Sequence, residues 1–292
     1  MSNGQKIMLR AVLGDYPHTK AIKSGLIPSD RVQLAFEHFS PTNKAFKPMV
    51  RELKFDVSEM AIVTYLMARA YNKPLVLLPA VMLGRFQQGL ALYNGERGQL
   101  TPSDLEGRPV GIRSFTTTTG AWVRGILAND YGVNLDKVRW VTFEDPHVAE
   151  YKDTTERAPA GKKIVDMLLA GEIDAAVGEK SDDPRLKPLF GDPEAEARAW
   201  YKKHGIVPVN HFVVVTENLA KSNPAAVEEI YRMLKESKKA APAPSGIDFY
   251  PFGVEAVRKP LGHIIEYCAQ QKLIPRRFTV DELFDDMTRR MN

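Results

Sequence analysis

The chain has 292 residues, of which 44% are apolar and 26% are charged. This length allows one large domain or two of ordinary size, and the composition is typical of a soluble, folded protein. The net charge of +4 comes from 40 basic and 36 acidic residues mixed along the chain, which argues against nucleic-acid binding, and no apolar run is long enough for membrane insertion.

Short runs rich in β-branched residues predict nine strands, and amphipathic segments between them predict helices. The predicted strands cover residues 7–14, 32–39, 55–60, 75–82, 89–94, 108–113, 138–143, 173–178 and 211–216. The predicted helices cover residues 43–53, 59–72, 117–131, 161–171, 223–240 and 253–272. This alternation predicts an α/β protein.

The order of these elements favours two sheets. A new strand and helix pair begins at Val110, residues up to about 205 form one block, and the later segments return to the first block. We therefore predict two α/β lobes: lobe I from residues 1–90 and 212–292, and lobe II from residues 91–211. The chain passes between them near 85–93 and 207–215, where side chains would face a ligand held in the cleft between the lobes.

The N-terminal apolar run is short and reaches Asp15 within one strand, which is unlike a signal peptide. If Met1 is the native start, we expect a cytoplasmic protein. A chain trimmed of a leader would look the same and would be periplasmic.

The segment "RSFTTTTGAWVRG", residues 113–125, joins a predicted strand to a predicted helix. The first turn of a helix exposes unpaired N–H groups and the positive end of the helix dipole, so it can bind an anion, with added donors from Ser114 and the threonines. The alternative is that one threonine is an N-cap and the others are exposed. Arg113 and Arg124 supply charge if they face inward, and the alternative for Arg124 is a position on the surface.

Three further segments place polar side chains at strand ends. "GDYPHT" puts Tyr16 and His18 after the first strand, where ligands bind in open α/β sheets, although an exposed loop histidine is the alternative. In "DVSEM", Ser58 and Glu59 lie where a strand meets a helix, so the prediction is either that they contact a ligand or that they cap that helix. Asn210 and His211 precede a buried strand, and His211 is the best candidate for an acid or base. Histidines 38, 147, 204 and 263 lack metal-ligand spacing, so we predict no metal site.

The segment "SDLEGRPVGIRSFTTTTGAWVRGILANDYGV" resembles a stretch of the 4,5-dihydroxyphthalate decarboxylases, which have the type II periplasmic-binding-protein fold. The resemblance continues through "GDYPHT", "FDVSEM", "MLLAGEIDAAVGEK", "GIVPVNHFVVV" and "FYPFGVEAVRKPL". It implies a bilobal fold with a ligand cleft, and a lyase of aromatic compound catabolism that needs no cofactor.

The resemblance places individual residues in the family's motifs: Tyr16, His18, Ser58, Glu59, Thr117, Thr118, Thr119, Trp122, Arg124 and His211. From these motifs and from position along the chain we predict His211, His18 and Glu59 as catalytic residues. The predicted substrate-binding residues are Tyr16, Ser58, Arg85, Arg113, Ser114, Thr117, Thr118, Thr119, Trp122 and Asn210. The expected partner is a small aromatic or organic carboxylate, and a homo-oligomer is compatible with the chain.

The chain departs from the family at "FQQG", residues 86–89, where we expect Phe-Arg-His-Ser. Neutral amides at Gln87 and Gln88 replace two cationic or titratable groups, so either Arg85 supplies the charge or the substrate lacks a second carboxylate. The function predicted is decarboxylation of a hydroxylated aromatic acid. The alternative is a non-catalytic solute-binding protein of an ABC transporter, because the same lobes can trap an anion without reacting with it.

Overall fold

The computed structural model describes residues 6–243 and 246–292, which form two compact units. Unit 1 contains the described residues of Met1–Gly84, Val209–Ile265 and Arg276–Asn292, and unit 2 contains Arg85–Pro208 and Glu266–Pro275. The lobe boundaries at residues 90 and 212 stay a prediction from the sequence.

The described residues form strands in the following chain order: β1 (Ile7–Val12), β2 (Val32–Phe36), β3 (Val57–Ala61), β4 (Leu75–Gly84), β5 (Ala91–Asn94), β6 (Pro109–Ile112), β7 (Arg139–Thr142), β8 (Glu156–Arg157), β9 (Ala175–Val177), β10 (Leu186–Pro188) and β11 (Val209–Thr216). The α-helices are α1 (Lys20–Lys23), α2 (Phe46–Glu52), α3 (Ile62–Ala70), α4 (Thr118–Tyr131), α5 (Ile164–Ala170), α6 (Pro193–His204), α7 (Glu217–Ser222), α8 (Pro224–Lys239) and α9 (Val254–Gln270).

Unit 1 is built on a five-stranded sheet in the order β2-β1-β3-β11-β4. Strand β1 is parallel to β2 and β3, whereas β11 runs antiparallel between β3 and β4. All five residues of β3 are buried, because a central strand covered on both faces has no solvent-facing side. Helix α8 packs on this sheet through Val227, Ile230 and Leu234, which recur at helical spacing.

Unit 2 contains a six-stranded sheet in the order β10-β5-β9-β6-β7-β8. Strand β6 is parallel to its two neighbours, β7 and β9, and β7 is also parallel to β8. Strand β5 is antiparallel to its two neighbours, β9 and β10. The carboxyl ends of β6, β7 and β9 therefore lie at one edge. None of the described helices is long and apolar enough to cross a bilayer.

The prediction of a mixed α/β chain with two sheets is confirmed. Each of the nine predicted strands overlaps an observed one, whereas β8 and β10, which have two and three residues and show no alternation, were not predicted. The short helices α1 and α7 were not predicted either. Nor was α6, whose composition is mostly polar and of which only Ala197 and Trp200 are buried. The signal present for α6 was its start, where the Asp192 side chain accepts bonds from two backbone N–H groups and Pro193 occupies the first position.

Candidate functional site

The candidate site of unit 1 begins with the register of β3 and β11. His211 lies opposite Ala61, and Val213 lies opposite Glu59. Directly opposed residues of an antiparallel pair share a face, as do residues two apart on one strand. The Glu59 and His211 side chains therefore project from the same face of the sheet as diagonal neighbours.

The Glu59 carboxylate is fully buried and accepts three hydrogen bonds. The donors are the Gly14 backbone N–H at 2.8 Å, the Tyr16 hydroxyl at 2.8 Å and His211 Nδ1 at 2.6 Å. Burial raises the pKa of Glu59, but the hydrogen bond and charge of His211, with the bonds from Gly14 and Tyr16, outweigh it and hold the pKa below its ordinary value. Glu59 is therefore a carboxylate at neutral pH.

The ionised carboxylate determines which proton His211 carries. A carboxylate can only accept, so Nδ1 must bear a hydrogen, and Nε2 is the nitrogen left for proton transfer. Nε2 has no hydrogen-bond partner among residues 6–243 and 246–292. The Phe46 ring packs edge-on at 5.0 Å between centroids and limits the orientation of the imidazole, whose side chain is 17% exposed.

Gly14 makes the contact between Tyr16 and Glu59 sterically possible. A Cβ atom at position 14 would lie 2.5 to 2.7 Å from the ring and hydroxyl of Tyr16, closer than carbon atoms approach without displacement. Gly14 and Phe46 are absent from the residues predicted from sequence. The "GDY" turn contained a signal for Gly14, whereas no local pattern pointed to Phe46.

The remaining predicted residues of unit 1 are buried near this network. The His18 ring stacks on Tyr16 and on Tyr250, with centroids 5.2 and 4.4 Å apart, so it is not an exposed loop histidine. Burial lowers the pKa of His18, partly opposed by the Glu59 charge. Ser58 is buried and donates to the Glu59 carbonyl at 2.8 Å, and Asn210 is buried in β11.

In unit 2, the threonine run forms the start of α4. Thr117 is the N-cap, and its hydroxyl accepts from the Gly120 N–H at 3.3 Å. Thr119 Oγ1 accepts from Arg85 Nη2 at 3.1 Å, and the hydroxyl groups of Ser114 and Thr116 are 3.2 Å apart. The simple cap is thus realised at Thr117, while Thr119 joins a cationic side chain to the first turn of the helix.

Acidic side chains lie beside Arg113, the side chain predicted to supply positive charge at the start of α4. Arg113 Nη1 is 3.8 Å from Glu144 Oε2. Glu179, just after β9, has a raised pKa because burial disfavours its charge, while Arg113 opposes that effect. The charge of Arg113 is therefore shared with carboxylates.

The predicted side chains of α4 beyond its first cap lie in the interior of unit 2. Trp122 is fully buried and packs edge-on against Trp200 and Tyr267, with centroids 6.3 and 5.6 Å apart. Thr118 is also buried. Arg124 of the same motif is fully buried, donates from Nε to Gln271 at 2.9 Å and lies 3.8 Å above the Phe115 ring.

The amides at the "FQQG" departure are buried too, and Gln87 Nε2 donates to the Arg85 carbonyl at 2.8 Å.

Within the described part of the chain, no group of three or more histidine, cysteine, aspartate or glutamate side chains has the geometry to hold a metal ion. The buried Cys268 thiol has a raised pKa because burial disfavours the thiolate.

The chain is similar over most of its length to two proteins, each named 4,5-dihydroxyphthalate decarboxylase. The protein from Comamonas testosteroni is 27% identical over 252 residues, covering 81% of this chain and 76% of that protein. The protein from Pseudomonas putida is 25% identical over 213 residues, covering 68% of this chain and 82% of that protein. No protein-family model matches the chain. The resemblance predicted from sequence motifs is confirmed.

Solved structures share the fold at low identity. The periplasmic aliphatic sulphonate binding protein SsuA from Escherichia coli has a TM-score of 0.62 and 12% identity, covering 97% of this chain and 93% of that one. The desulfurization enzyme DszB has a TM-score of 0.52 and 13% identity, covering 97% and 98%. The periplasmic-binding-protein type of fold is confirmed, and because this fold includes both a binding protein and an enzyme, the fold by itself does not decide the function.

Proposed function

We propose that the protein is a decarboxylase of a hydroxylated aromatic carboxylic acid, acting by ring-carbon protonation and loss of carbon dioxide without an organic cofactor. The observation that carries the proposal is the network of Tyr16, Glu59 and His211, in which a fully buried, ionised carboxylate holds one nitrogen of an imidazole. The similarity to two proteins named 4,5-dihydroxyphthalate decarboxylase supports the reaction class.

His211 is the proton donor in this proposal. Glu59 holds Nδ1 and stabilises positive charge on the ring, so protonated His211 carries its transferable hydrogen on Nε2. His18, the other histidine predicted as catalytic, has a pKa lowered by burial, and a neutral imidazole is a poor acid. We therefore assign the proton transfer to His211.

The proposed reaction balances with one proton taken up. A ring hydroxyl para to the departing carboxylate donates electron density to the ring carbon that carries it. Nε2–H transfers its proton to that carbon, which becomes tetrahedral, and the carbon–carboxylate bond then breaks. The bonding electrons restore the aromatic ring, carbon dioxide leaves, and neutral His211 regains a proton from water. A positioned acid contributes about 10²- to 10⁴-fold in rate.

For unit 2, we propose that the start of α4 binds a carboxylate group. Support comes from the helix N-terminus, from the Thr117 and Thr119 hydroxyls, and from the Arg85 guanidinium hydrogen-bonded to Thr119. Arg85 supplies a positive charge beside the neutral amides of "FQQG". Because Gln87 and Gln88 are neutral, the substrate either has only one carboxylate or has a second carboxylate that Arg85 binds. Acids of both kinds therefore belong in the assay.

The experiment that tests the proposed function follows carbon dioxide release from a panel of hydroxybenzoates and dihydroxyphthalates. Reaction in D₂O is expected to place one deuterium on the carbon that lost the carboxylate, because that carbon is protonated by an exchangeable group. The rival function, solute binding, predicts tight binding of an acid from this panel with no carbon dioxide released. That result would exclude the decarboxylase.

Replacing the proposed acid tests the mechanism. His211→Gln is expected to lower kcat by about 10²-fold or more because no proton remains to transfer. His204→Gln is the matched control, since His204 Nε2 also bonds a carboxylate, that of Asp130 in unit 2, at 2.9 Å. Equal rates in the two variants would remove His211 from the mechanism.

A further inference from the structure

Strand β2 lies at one edge of the five-stranded sheet of unit 1, and within residues 6–243 and 246–292 its ladder partner is β1 alone. The Ile7 N–H donates to the Arg31 carbonyl at 2.9 Å, and the Glu37 N–H donates to the Ala11 carbonyl at 2.8 Å. Backbone groups turn to opposite sides at successive residues of a strand. The odd-numbered residues of β2 therefore use their backbone groups for bonds to β1.

The even-numbered residues of β2 turn their backbone groups away from the sheet. The Val32 N–H donates to Ser29 Oγ at 3.1 Å, whereas the N–H groups of Leu34 and Phe36 have no partner in the described part of the chain. Such an edge is a template for another strand, and natural edge strands often block it with lysine, proline or a bulge. Strand β2 contains no lysine or proline, and its register with β1 is regular.

The sequence of this edge, "RVQLAFE" at residues 31–37, is complementary to itself when two copies run antiparallel about Leu34. The opposed pairs are then Leu34 with Leu34, Val32 with Phe36, Gln33 with Ala35, and Arg31 with Glu37. Apolar side chains face apolar side chains, and a cation faces a carboxylate at each end. Cross-strand pairs of both kinds stabilise a sheet.

The outward backbone groups fit the same pairing. In an antiparallel ladder, alternate opposed residues exchange hydrogen bonds. The two Leu34 residues would exchange both of their bonds, and the Phe36 N–H of each copy would donate to the Val32 carbonyl of the other. The side chains of Leu34 and Phe36 are half-buried against the core of unit 1, so their remaining apolar surface lies at this edge.

The two charged residues determine the register. A slip of two residues in either direction would place Glu37 opposite Ser29 or Gln33 and would leave Arg31 without an opposed carboxylate. In the register centred on Leu34, Glu37 instead lies between Arg31 of the second copy and Arg10 of its own chain, whose Nη2 is 2.9 Å from Glu37 Oε1. Charges at the rim of an interface act mainly on specificity, so they select this alignment.

We propose that two copies of this chain associate by antiparallel pairing of their β2 strands about a two-fold axis at Leu34. The pairing joins two five-stranded sheets into one continuous sheet. It also covers both exposed edges, so association through this surface closes at the dimer. The interface includes neither Glu59 nor His211, and the proposal does not rest on the proposed function.

The test measures association of the full chain by sedimentation velocity without any substrate. Because one strand pair gives a small interface, we expect a dissociation constant on the order of 1–100 µM. Arg31→Glu and Glu37→Arg each place like charges opposite one another, so each is expected to weaken association about tenfold or more. A chain that stays monomeric above this concentration range would overturn the proposal, as would an assembly that both substitutions leave intact.

Mixing the two variants tests the register itself. In a mixed pair, the carboxylate introduced at position 31 of one copy faces the guanidinium introduced at position 37 of the other, while Glu37 faces Arg31 at the opposite end. An equimolar mixture is therefore expected to regain the dissociation constant of the original chain, with circular dichroism confirming that both variants are folded. A mixture that associates no better than its components would contradict this pairing.

Glu156→Arg is the matched control for Glu37→Arg. Glu156 lies on β8, the edge strand of the sheet in unit 2, and accepts a hydrogen bond from Arg139 of the neighbouring strand at 3.1 Å. The substitution makes the same change in net charge and breaks a similar ion pair, yet association should stay unchanged. Equal weakening by both substitutions would show a general effect of charge and would overturn the proposal.

A backbone substitution tests the hydrogen bonds of the pairing. Leu34→Pro removes an outward N–H that no described residue of the chain accepts, a position at which edge strands tolerate proline. We expect this variant to be monomeric, whereas Leu34→Ala, which keeps the N–H, should retain part of the association. A dimer that persists in Leu34→Pro would contradict the proposal, and the mixture of charge variants decides the question if the proline variant does not fold.

Discussion

At the scale of residues, Glu59 connects three parts of unit 1 that are distant in sequence. Gly14 and Tyr16 follow β1, Glu59 lies in β3, and His211 lies near the start of β11. A buried charge is costly unless it is paired and hydrogen-bonded, and these donors supply that compensation. Glu59 touches no proposed reacting atom, so in the proposed mechanism it positions His211.

Replacing the charge of Glu59 while keeping its shape tests this role. Glu59→Gln is expected to lower kcat by about 10²- to 10⁴-fold because the amide no longer stabilises a positive imidazole, while KM stays nearly unchanged. Steady-state kinetics on the best substrate of the panel provide both values.

A matched carboxylate exists in unit 2. Asp130 accepts hydrogen bonds from Trp200 at 3.0 Å and from His204 at 2.9 Å. Burial raises the pKa of Asp130, but its hydrogen-bond donors outweigh that effect and hold the pKa below its ordinary value. Asp130→Asn should leave kcat unchanged although it weakens the packing around it. If Glu59→Gln and Asp130→Asn lower kcat equally, the effect of Glu59→Gln arises from disturbed folding and not from the loss of charge beside His211.

At the scale of elements, one glycine allows α4 to pack closely against the end of α9 within unit 2. A Cβ atom at Gly125 would lie 1.9 to 2.4 Å from the Tyr267 ring. The glycine therefore costs helix propensity but permits the contact, and the Tyr267 ring in turn packs on Trp122.

Substituting this glycine should disturb the packing of α4. Gly125→Ala is expected to lower the free energy of unfolding by about 1–3 kcal/mol, because the methyl group forces Tyr267 to move. Urea unfolding followed by tryptophan fluorescence measures the change.

Gly262 in α9 is the comparison, since no atom lies within 4 Å of a Cβ built there. Gly262→Ala should leave stability unchanged or raise it by up to about 1 kcal/mol through helix propensity. Similar losses in both variants would show that the Tyr267 contact is not the cause.

At the scale of the whole molecule, two buried groups make stability depend on pH in the same direction. Burial lowers the pKa of His18, and donors lower the pKa of Glu59. In both cases the unfolded chain binds protons more readily than the folded one. The stability they contribute is present above the unfolded pKa and is lost as pH falls, from 6.5 downward for His18 and from 4.5 downward for Glu59.

The histidine contribution is measurable above the range in which carboxylates titrate. The free energy of unfolding in urea is expected to fall between about pH 7.5 and 5.5, with a smaller fall in His18→Phe. An unchanged slope in His18→Phe would show that His18 does not control this pH dependence.

Local patterns in the sequence were sufficient to predict the mixed α/β class, most strand positions and the polar side chains at strand ends. Periodicity and capping act over a few residues, so they can be recognised without the fold. The same reasoning singled out Glu59 and His211 separately, as residues beside strand and helix boundaries. The catalytic and binding roles of these residues stay predictions.

Tertiary structure decided which of those side chains meet. Glu59 and His211 are 152 positions apart and bond because β11 inserts antiparallel beside β3 in one register. Burial was likewise unreadable from local pattern: Arg124 and Trp122 occupy the interior of unit 2, and His18 is enclosed by two rings. Strand pairing and burial depend on the packing of the whole chain, whereas residue type and spacing determine only which local structures can form.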